Sequence, residues 1–233
     1  MLMAALLGPT AACAQWSGRL ELLSDHRFRG VSQSHRHPVW QLSVNHDWDG
    51  GAYIGGMVSA TPLLPEASSL ALQMDVGYAR RLSPSICGDA GVVFYRFMHA
   101  ASQTPDSYTE YFAALSGEKW SARFHVGPGQ PGHEAPIAYA EVNAAMPLTP
   151  RVVLTGHAGV FHQMGRPGRH SDYDSTDSTP PLTRWDVSTG IAVQWSQLDW
   201  GLSLVATLPA NAPCEPSAGA CNTTALMSVS RAF

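Results

Sequence analysis

"RWDVSTGIAVQW", Arg184 to Trp195, changes character residue by residue. Trp185, Val187, Thr189, Ile191, Val193 and Trp195 fall on one face; Arg184, Asp186, Ser188, Gly190, Ala192 and Gln194 fall on the other. A period of two belongs to extended backbone, whose successive side chains point to opposite faces, whereas a helix of 3.6 residues per turn would mix the two sets. The apolar face begins and ends on a Trp. Ten residues at about 3.3 Å each, tilted as in a barrel, cover about 25 Å, the height of the apolar band on an outer-membrane strand.

The pattern recurs along the chain. Trp40, Leu42, Val44 and Trp48 oppose Gln41, Ser43, Asn45 and Asp47; Leu70, Leu72, Met74, Val76 and Tyr78 oppose Gln73, Asp75 and Gly77. Leu198, Trp200, Leu202, Leu204 and Leu208 oppose Asp199, Ser203 and Thr207. Turn residues divide the chain into strands at 16–28, 37–48, 52–61, 70–81, 87–98, 107–117, 120–127, 136–147, 151–163, 183–196, 198–208 and 222–233. Their connections alternate. "HRFRGVSQSHRH", "PLLPEASS", "HAASQTPD", "GPGQPGHE", "QMGRPGRHSDYDSTDSTPP" and "PANAPCEPSAGA" are long, and "DGG", "RRLSPS", "GEK", "PLTPR" and "SQ" between them are short. Long loops at one end and tight turns at the other are the habit of an outer-membrane barrel. A soluble barrel would turn its apolar face inward and has no reason to alternate its loops. The expected fold is all-β: a transmembrane, antiparallel, up-and-down β-barrel of about twelve strands over residues 15–233.

Composition agrees. The chain has 233 residues, a hydrophobic fraction of 45% and a net charge of −4, so nothing draws it as a whole to nucleic acid. "MLMAALLGPTAACAQ" is a short apolar run ending in Ala12-Cys13-Ala14, which predicts a signal peptide over 1–14, cleavage before Gln15 and export. Past Gln15 no apolar stretch is long enough for a membrane helix. In an oxidising compartment Cys214 and Cys221, flanking "EPSAGA", are placed to close a loop as a disulfide, with Cys87 left over. The chain ends on Phe233, with Val229, Met227 and Ala225 sharing its face and Arg231 interrupting it. That is the form of a closing strand read by the outer-membrane assembly machinery. Trp40, Trp48, Trp185, Trp195, Trp200 and Phe233 make up the expected lipid-interface girdle.

The face opposite the lipid lines a lumen. It collects Arg19, Glu21, Asp25, Arg27, Arg29, Asp47, Asp75, Glu110, Arg123, Glu141, Arg184 and Asp186 as pore-lining or constriction residues, with Arg96, His125 and His157 among their neighbours. Twelve strands make a bore well below that of a wide porin, so these charges either line a path or plug it as ion pairs. Asp25, Arg27 and Arg29 would continue strand one toward the first long loop, with Phe28 facing lipid. Arginines there would form a basic constriction favouring anions; the alternative is salt-bridging to Glu21, Asp47 or Asp75.

The same stretch carries a resemblance. "SDHRFRGVSQSHRHPVWQ" followed by "GAYIGGMVSA" resembles the opening signature of the TorF family of porin-like exported bacterial proteins, also labelled Gcw_chp, with its S-D-Y-R-F-R-G-x-S-Q-S pattern. Weaker likeness runs through "MDVGYAR", "AGVVFYRF" and "YTEYFAAL". His26 stands where the pattern has Tyr, and His35-Arg36-His37 replaces a more acidic run. The resemblance implies a porin whose solute is not settled.

Other chemistry has less support. His35, His37 and His26 have a metal-like spacing, but a loop histidine pair is ordinarily solvated, and no metal or other cofactor is expected. Asp172, Asp174 and Asp177 resemble the start of a calcium loop that lacks its Gly and Glu. Ser24, His26 and His162 on the outer face are the residues from which a lipid hydrolase site would have to be built, without any nucleophile motif. No catalytic residue is assigned. The sequence therefore predicts passive diffusion of small hydrophilic, anionic-leaning solutes through an outer-membrane barrel, with a closed structural or surface-binding barrel as the alternative.

Overall fold

The computed structural model describes residues 15–60, 69–99, 106–128, 136–164, 183–208 and 221–233. Twelve antiparallel strands close into one barrel. They are β1 (Gln15–Leu23), β4 (Val39–Asp47), β5 (Ala52–Ala60), β6 (Ser69–Ser83), β7 (Ile86–His99), β8 (Asp106–Ser116), β9 (Trp120–Gly127), β10 (Ile137–Thr149), β11 (Val152–Gln163), β12 (Thr183–Trp195), β13 (Leu198–Leu208) and β14 (Thr224–Ala232). Two arms of two residues each, β2 (Arg27–Phe28) and β3 (Val31–Ser32), pair only with each other. Each barrel strand pairs with its sequence neighbour, and β1 closes the ring by pairing with β4 on one side and β14 on the other.

Closure leaves no unpaired edge, which is the condition for a sheet to sit in hydrocarbon. The period-two faces sort as the chemistry of the residues requires. Leu20, Leu22, Met74, Val76, Phe124, Val142, Leu154, Ile191, Leu202, Leu204 and Met227 are all exposed on the outside. Val93, Tyr95, Tyr108, Phe112, Ile137, Tyr139, Phe161 and Val205 are buried within. Five tight turns define one end of the barrel, the turn end. The two-residue turn Ser196-Gln197 has φ of 51° and 64°, the primed geometry that matches strand twist. The opposite end, where the long connections leave, is the loop end.

Strand one departs from expectation. It stops at Leu23, and Ser24 is tied to β14 by its N–H donating to Met227 O and its Oγ accepting from Met227 N, both at 2.9 Å. Residues 25–34 then turn into the barrel. Phe28 accordingly faces the lumen, not lipid, and packs edge-on against Tyr95 with ring centroids 5.3 Å apart. Arg27 and Arg29 are not on the wall at all. Arg96, expected inside, is exposed on the outer face, where it pairs with Leu72 and Ser107 across the strands.

Candidate functional site

The inturned segment is a hairpin with its own internal logic. Arg29 and Gly30 form its two-residue tip, with φ of 52° and 79°, between the paired Phe28 and Val31. Asp25 is the hub: Oδ1 accepts from Ser32 Oγ at 2.6 Å and Ser34 Oγ at 2.9 Å, and Oδ2 accepts from Arg27 Nε at 2.9 Å. Arg27 Nη1 donates onward to Gly30 O at 2.9 Å and Asn222 O at 3.1 Å. Gln33 N–H donates to His26 O at 2.7 Å, and His26 N–H to Ser34 Oγ at 3.0 Å. Asp25, Arg27, Arg29, Gly30, Ser32 and Ser34 in the signature all have work in this fold. The hairpin's shape is set by contacts inside it.

Its tip locks onto the far wall. The Arg29 guanidinium grips Glu110 of β8 with two parallel bonds, Nη1 to Oε1 at 2.9 Å and Nη2 to Oε2 at 2.5 Å. Glu110 is 0% exposed and Arg29 8%. A planar fork on a carboxylate is the strongest ion-pair geometry available to side chains. His125 Nδ1 of β9 lies 3.2 Å from the same carboxylate. Arg29 also stacks on the rings of Phe28 at 4.7 Å and Tyr139 of β10 at 4.4 Å. Gly30 touches β12 and β13: a Cβ there would sit 2.6 Å from Thr207 Oγ1 and 2.7 Å from Asp186 Cβ, and Thr207 Oγ1 donates to Gly30 O at 3.0 Å. On the β5 side His26 Nδ1 lies 3.3 Å from Ser59 Oγ, and burial pushes this imidazole down to about 4, so it is neutral at neutral pH. The hairpin therefore crosses the bore near the loop end and meets the wall on β5, β7, β8, β10, β12 and β13. His35, Arg36 and His37, which follow it, are exposed.

Below this plug the lumen is wetter and more acidic. Arg123 Nη2 donates to Asp89 Oδ2 at 3.1 Å, and Tyr53 OH donates to Asp89 Oδ1 at 2.8 Å. Arg123 and Asp89 keep side-chain exposures of 32% and 18%, and Arg19 and Asp199, 3.7 Å apart, keep 22% and 36%. Glu21, Asp75 and Glu141 share this region, with Asp47 at the turn-end rim. Arg19 and Arg123 oppose these acids on the wall, with Arg81 at the rim. Between the two regions, His157 bridges Asp186 Oδ2 at 2.6 Å and Asn143 Oδ1 at 2.7 Å, and Tyr139 OH donates to Asp186 at 3.1 Å. Arg184 lies over the Phe161 ring at 5.0 Å.

The sequence reading misses which of these charges pair. Neither arginine of the hairpin meets Glu21, Asp47 or Asp75; their acids are Asp25 and Glu110. Trp185, Trp195, Trp200, Trp48 and Phe233 are exposed on the outside, and Trp40 is half-buried there. Trp16 and Trp120, which the sequence reading omits, join them at the turn end. Continuing the period of two through Gln15–Leu23 and Trp120–Gly127 would have found both. The Phe233 ring covers Gly18, and their backbones exchange two hydrogen bonds at 2.9 and 3.0 Å. Ser24, His26 and His162 do not converge: Ser24 is bonded to β14, His26 is inside the plug, and His162 Nδ1 lies 2.9 Å from Thr183 Oγ1 on β12. No cluster fit for a metal occurs among the described residues. Cys221 is buried and disulfide-bonded. Cys214, the signal segment 1–14 and Asp172, Asp174 and Asp177 lie outside the described residues.

Over residues 8–212 the sequence matches the family described as a bacterial protein of unknown function, Gcw_chp. This chain belongs to that family. Among curated proteins none matches. Two solved structures share the architecture of this Gcw_chp chain: the KdgM porin in complex with disordered oligogalacturonate (TM-score 0.51, 8% identity, 94% of this chain and 98% of that one) and the NanC porin (TM-score 0.51, 7% identity, 93% and 98%). At that identity the likeness establishes the fold alone, that of an outer-membrane β-barrel.

Proposed function

We propose that this Gcw_chp protein is an outer-membrane, porin-like channel for passive diffusion of small hydrophilic solutes. The bilayer packs against its apolar exterior, and its C-terminal strand, ending on the outward Phe233, is the segment offered to the assembly machinery. The observation that carries this reading is the pairing of a continuous apolar outer belt with a turn-end lumen whose charged side chains remain in contact with water. An exterior like that belongs in hydrocarbon, and half-exposed ion pairs inside it mark an aqueous chamber.

The charge placement supports cations over anions. An anion preference would need Arg27 and Arg29 on the path, and both are buried and ion-paired. The side chains that water reaches are dominated by Glu21, Asp47, Asp75, Asp89, Glu141 and Asp199. KdgM was solved with an oligogalacturonate, a polyanion; the acids of this lumen favour the opposite solute charge. The test is single-channel conductance of refolded protein in a planar bilayer under a salt gradient, after heat-modifiable gel migration has shown a folded barrel. Discrete steps with a cation-side reversal potential support the reading. Folded protein that stays electrically silent under every condition would favour the second reading, a closed structural or surface-binding barrel. The complete burial of Glu110 is the observation on that side.

A further inference from the structure

Charged side chains that solvent reaches, beneath a hairpin that crosses the bore, are a contradiction for a static pore and an ordinary arrangement for a gated one. Residues 25–34 hold their own shape: Asp25 binds Arg27, Ser32 and Ser34, Arg27 binds Gly30 O, and His26 O binds Gln33 N–H, all within the hairpin. Its polar contacts with the wall are fewer. Among the described residues they include the Arg29 fork on Glu110, Thr207 Oγ1 on Gly30 O, Arg27 on Asn222 O and the His26–Ser59 approach. Polar grip on the wall is thus concentrated at the tip. The hairpin joins the barrel at Ser24, stapled to β14, and at the turn Ser34–His37, exposed from His35 to His37, where His35 and Arg36 have φ of 51° and 64°.

We propose that this hairpin is a gate that moves as a rigid unit, and that the Arg29–Glu110 pair is its latch. The proposal rests on the channel reading and names how that channel is regulated. Arg29 is a bulky residue at a left-handed tip position that Gly or Asn would fill without strain. Placing an arginine there puts a guanidinium at the extreme reach of the hairpin, where a single contact can hold the whole unit down. When the tip lifts toward the loop end, Arg29 regains water and Glu110 is left facing the chamber, adding one more acid to a path already acidic. The aromatic bed of Tyr95, Tyr108 and Phe112 around the latch excludes the water that would otherwise weaken it. Glu110 and Arg29 are positioning residues for the gate and touch no solute in the closed form.

The experiment compares three forms of the full chain in planar bilayers, each first shown to be folded by heat-modifiable migration. They are the native protein, Glu110→Gln, and a Phe28→Cys/Tyr95→Cys pair in a Cys87→Ala background, bridged by a short bis-methanethiosulfonate cross-linker to pin the hairpin to β7. The expected result is rare openings in the native protein and an open probability raised roughly tenfold or more in Glu110→Gln. The pinned form should be silent until a reductant restores the native pattern. Should Glu110→Gln not fold, the reductant dependence of the pinned pair decides alone. Steady native conductance that neither pinning nor latch removal alters would overturn the gate and leave the channel standing. Silence of all three, and of a chain with residues 25–34 replaced by a Gly-Ser linker, would remove the channel reading itself.

Discussion

The two halves of the lumen use the same side chains for opposite ends. Near the loop end, arginine and carboxylate meet as buried pairs inside a plug: Arg27 with Asp25, Arg29 with Glu110. Toward the turn end, Arg123 with Asp89 and Arg19 with Asp199 are looser and reached by water. Burial decides what a charge can do. A desolvated pair cannot be a selectivity ring, because its field is spent on its partner, but breaking it is costly. A solvated pair adds little stability and leaves its field available to a passing ion. Substitutions of equal chemistry should therefore act on stability and gating at one end and on selectivity at the other.

The largest effect is expected at the latch. Glu110→Ala leaves Arg29 charged without a partner, which costs about 3–5 kcal/mol where a buried pair is broken from one side. The loss is read as a lower midpoint of the heat-induced gel shift. Removing both partners, as Arg29→Met with Glu110→Leu, should recover most of it. An Asp89→Ala change at the turn end should move the midpoint by no more than about 1 kcal/mol. Equal losses at Asp89 and Glu110 would erase the distinction between the two regions.

A pH dependence follows from His26. Its folded-state value is pushed by burial to about 4, below the ordinary 6.5, with Asp25 opposing the shift only in part and Ser59 Oγ the polar group nearest its ring on β5. The folded form binds its proton less readily than the unfolded chain does. The plug is therefore at full stability above about 6.5, loses it progressively as pH falls toward 4, and loses no more below that. Protection of Phe28→Cys from a water-soluble thiol reagent, in a Cys87→Ala background, measures this. Protection should fall between pH 6 and 4, and His26→Gln should flatten the profile.

Much of the architecture is legible in the chain. The alternation in "RWDVSTGIAVQW" and the order of long and short connections are local signals, and in a barrel local period and hairpin order nearly determine the topology. The plug is not legible in the same way. "RFRGVS" has the period of a strand and continues β1 without a break, so period alone cannot say whether Phe28 meets lipid or Tyr95. What distinguishes the cases is a partner some eighty residues away, Glu110, which reads as one more inward acid on β8. A local signal did exist: Arg29-Gly30 between Phe28 and Val31 is a two-residue turn ending in Gly, a hairpin mark inside what looks like one strand. Arg96 fails for a different reason. Its charge argues for the lumen, while its parity with Phe94 argues for the outside, and parity is the stronger constraint because the backbone imposes it.

Gly30→Ala should act at the plug with a smaller effect than the latch. The tip needs φ of 79°, and an added Cβ would meet Thr207 Oγ1 and Asp186 Cβ. Left-handed backbone costs a non-glycine residue about 1–2 kcal/mol and overpacking a comparable amount. The hairpin should lift at its tip while the barrel stays folded. A rise in Phe28→Cys labelling with a gel-shift midpoint lowered far less than in Glu110→Ala is the expected pattern, and a rise in labelling matched by an equal loss of midpoint would mean that plug and barrel unfold as one unit.

The smallest effect, and the one that most directly separates the halves, is on selectivity. Asp75→Asn and Glu141→Gln each remove one water-reached acid, so each should shift the reversal potential toward the anion side by a few millivolts in a salt gradient, more at low ionic strength where screening is weak. Arg27→Gln at the plug should change how often the channel opens and leave the reversal potential of the open state where it was. The two readouts come from the same recordings. A reversal potential set by Arg27 would mean that the open path still runs past the hairpin arginines, and that the signature segment lines the pore in its open form as well as sealing it in its closed one.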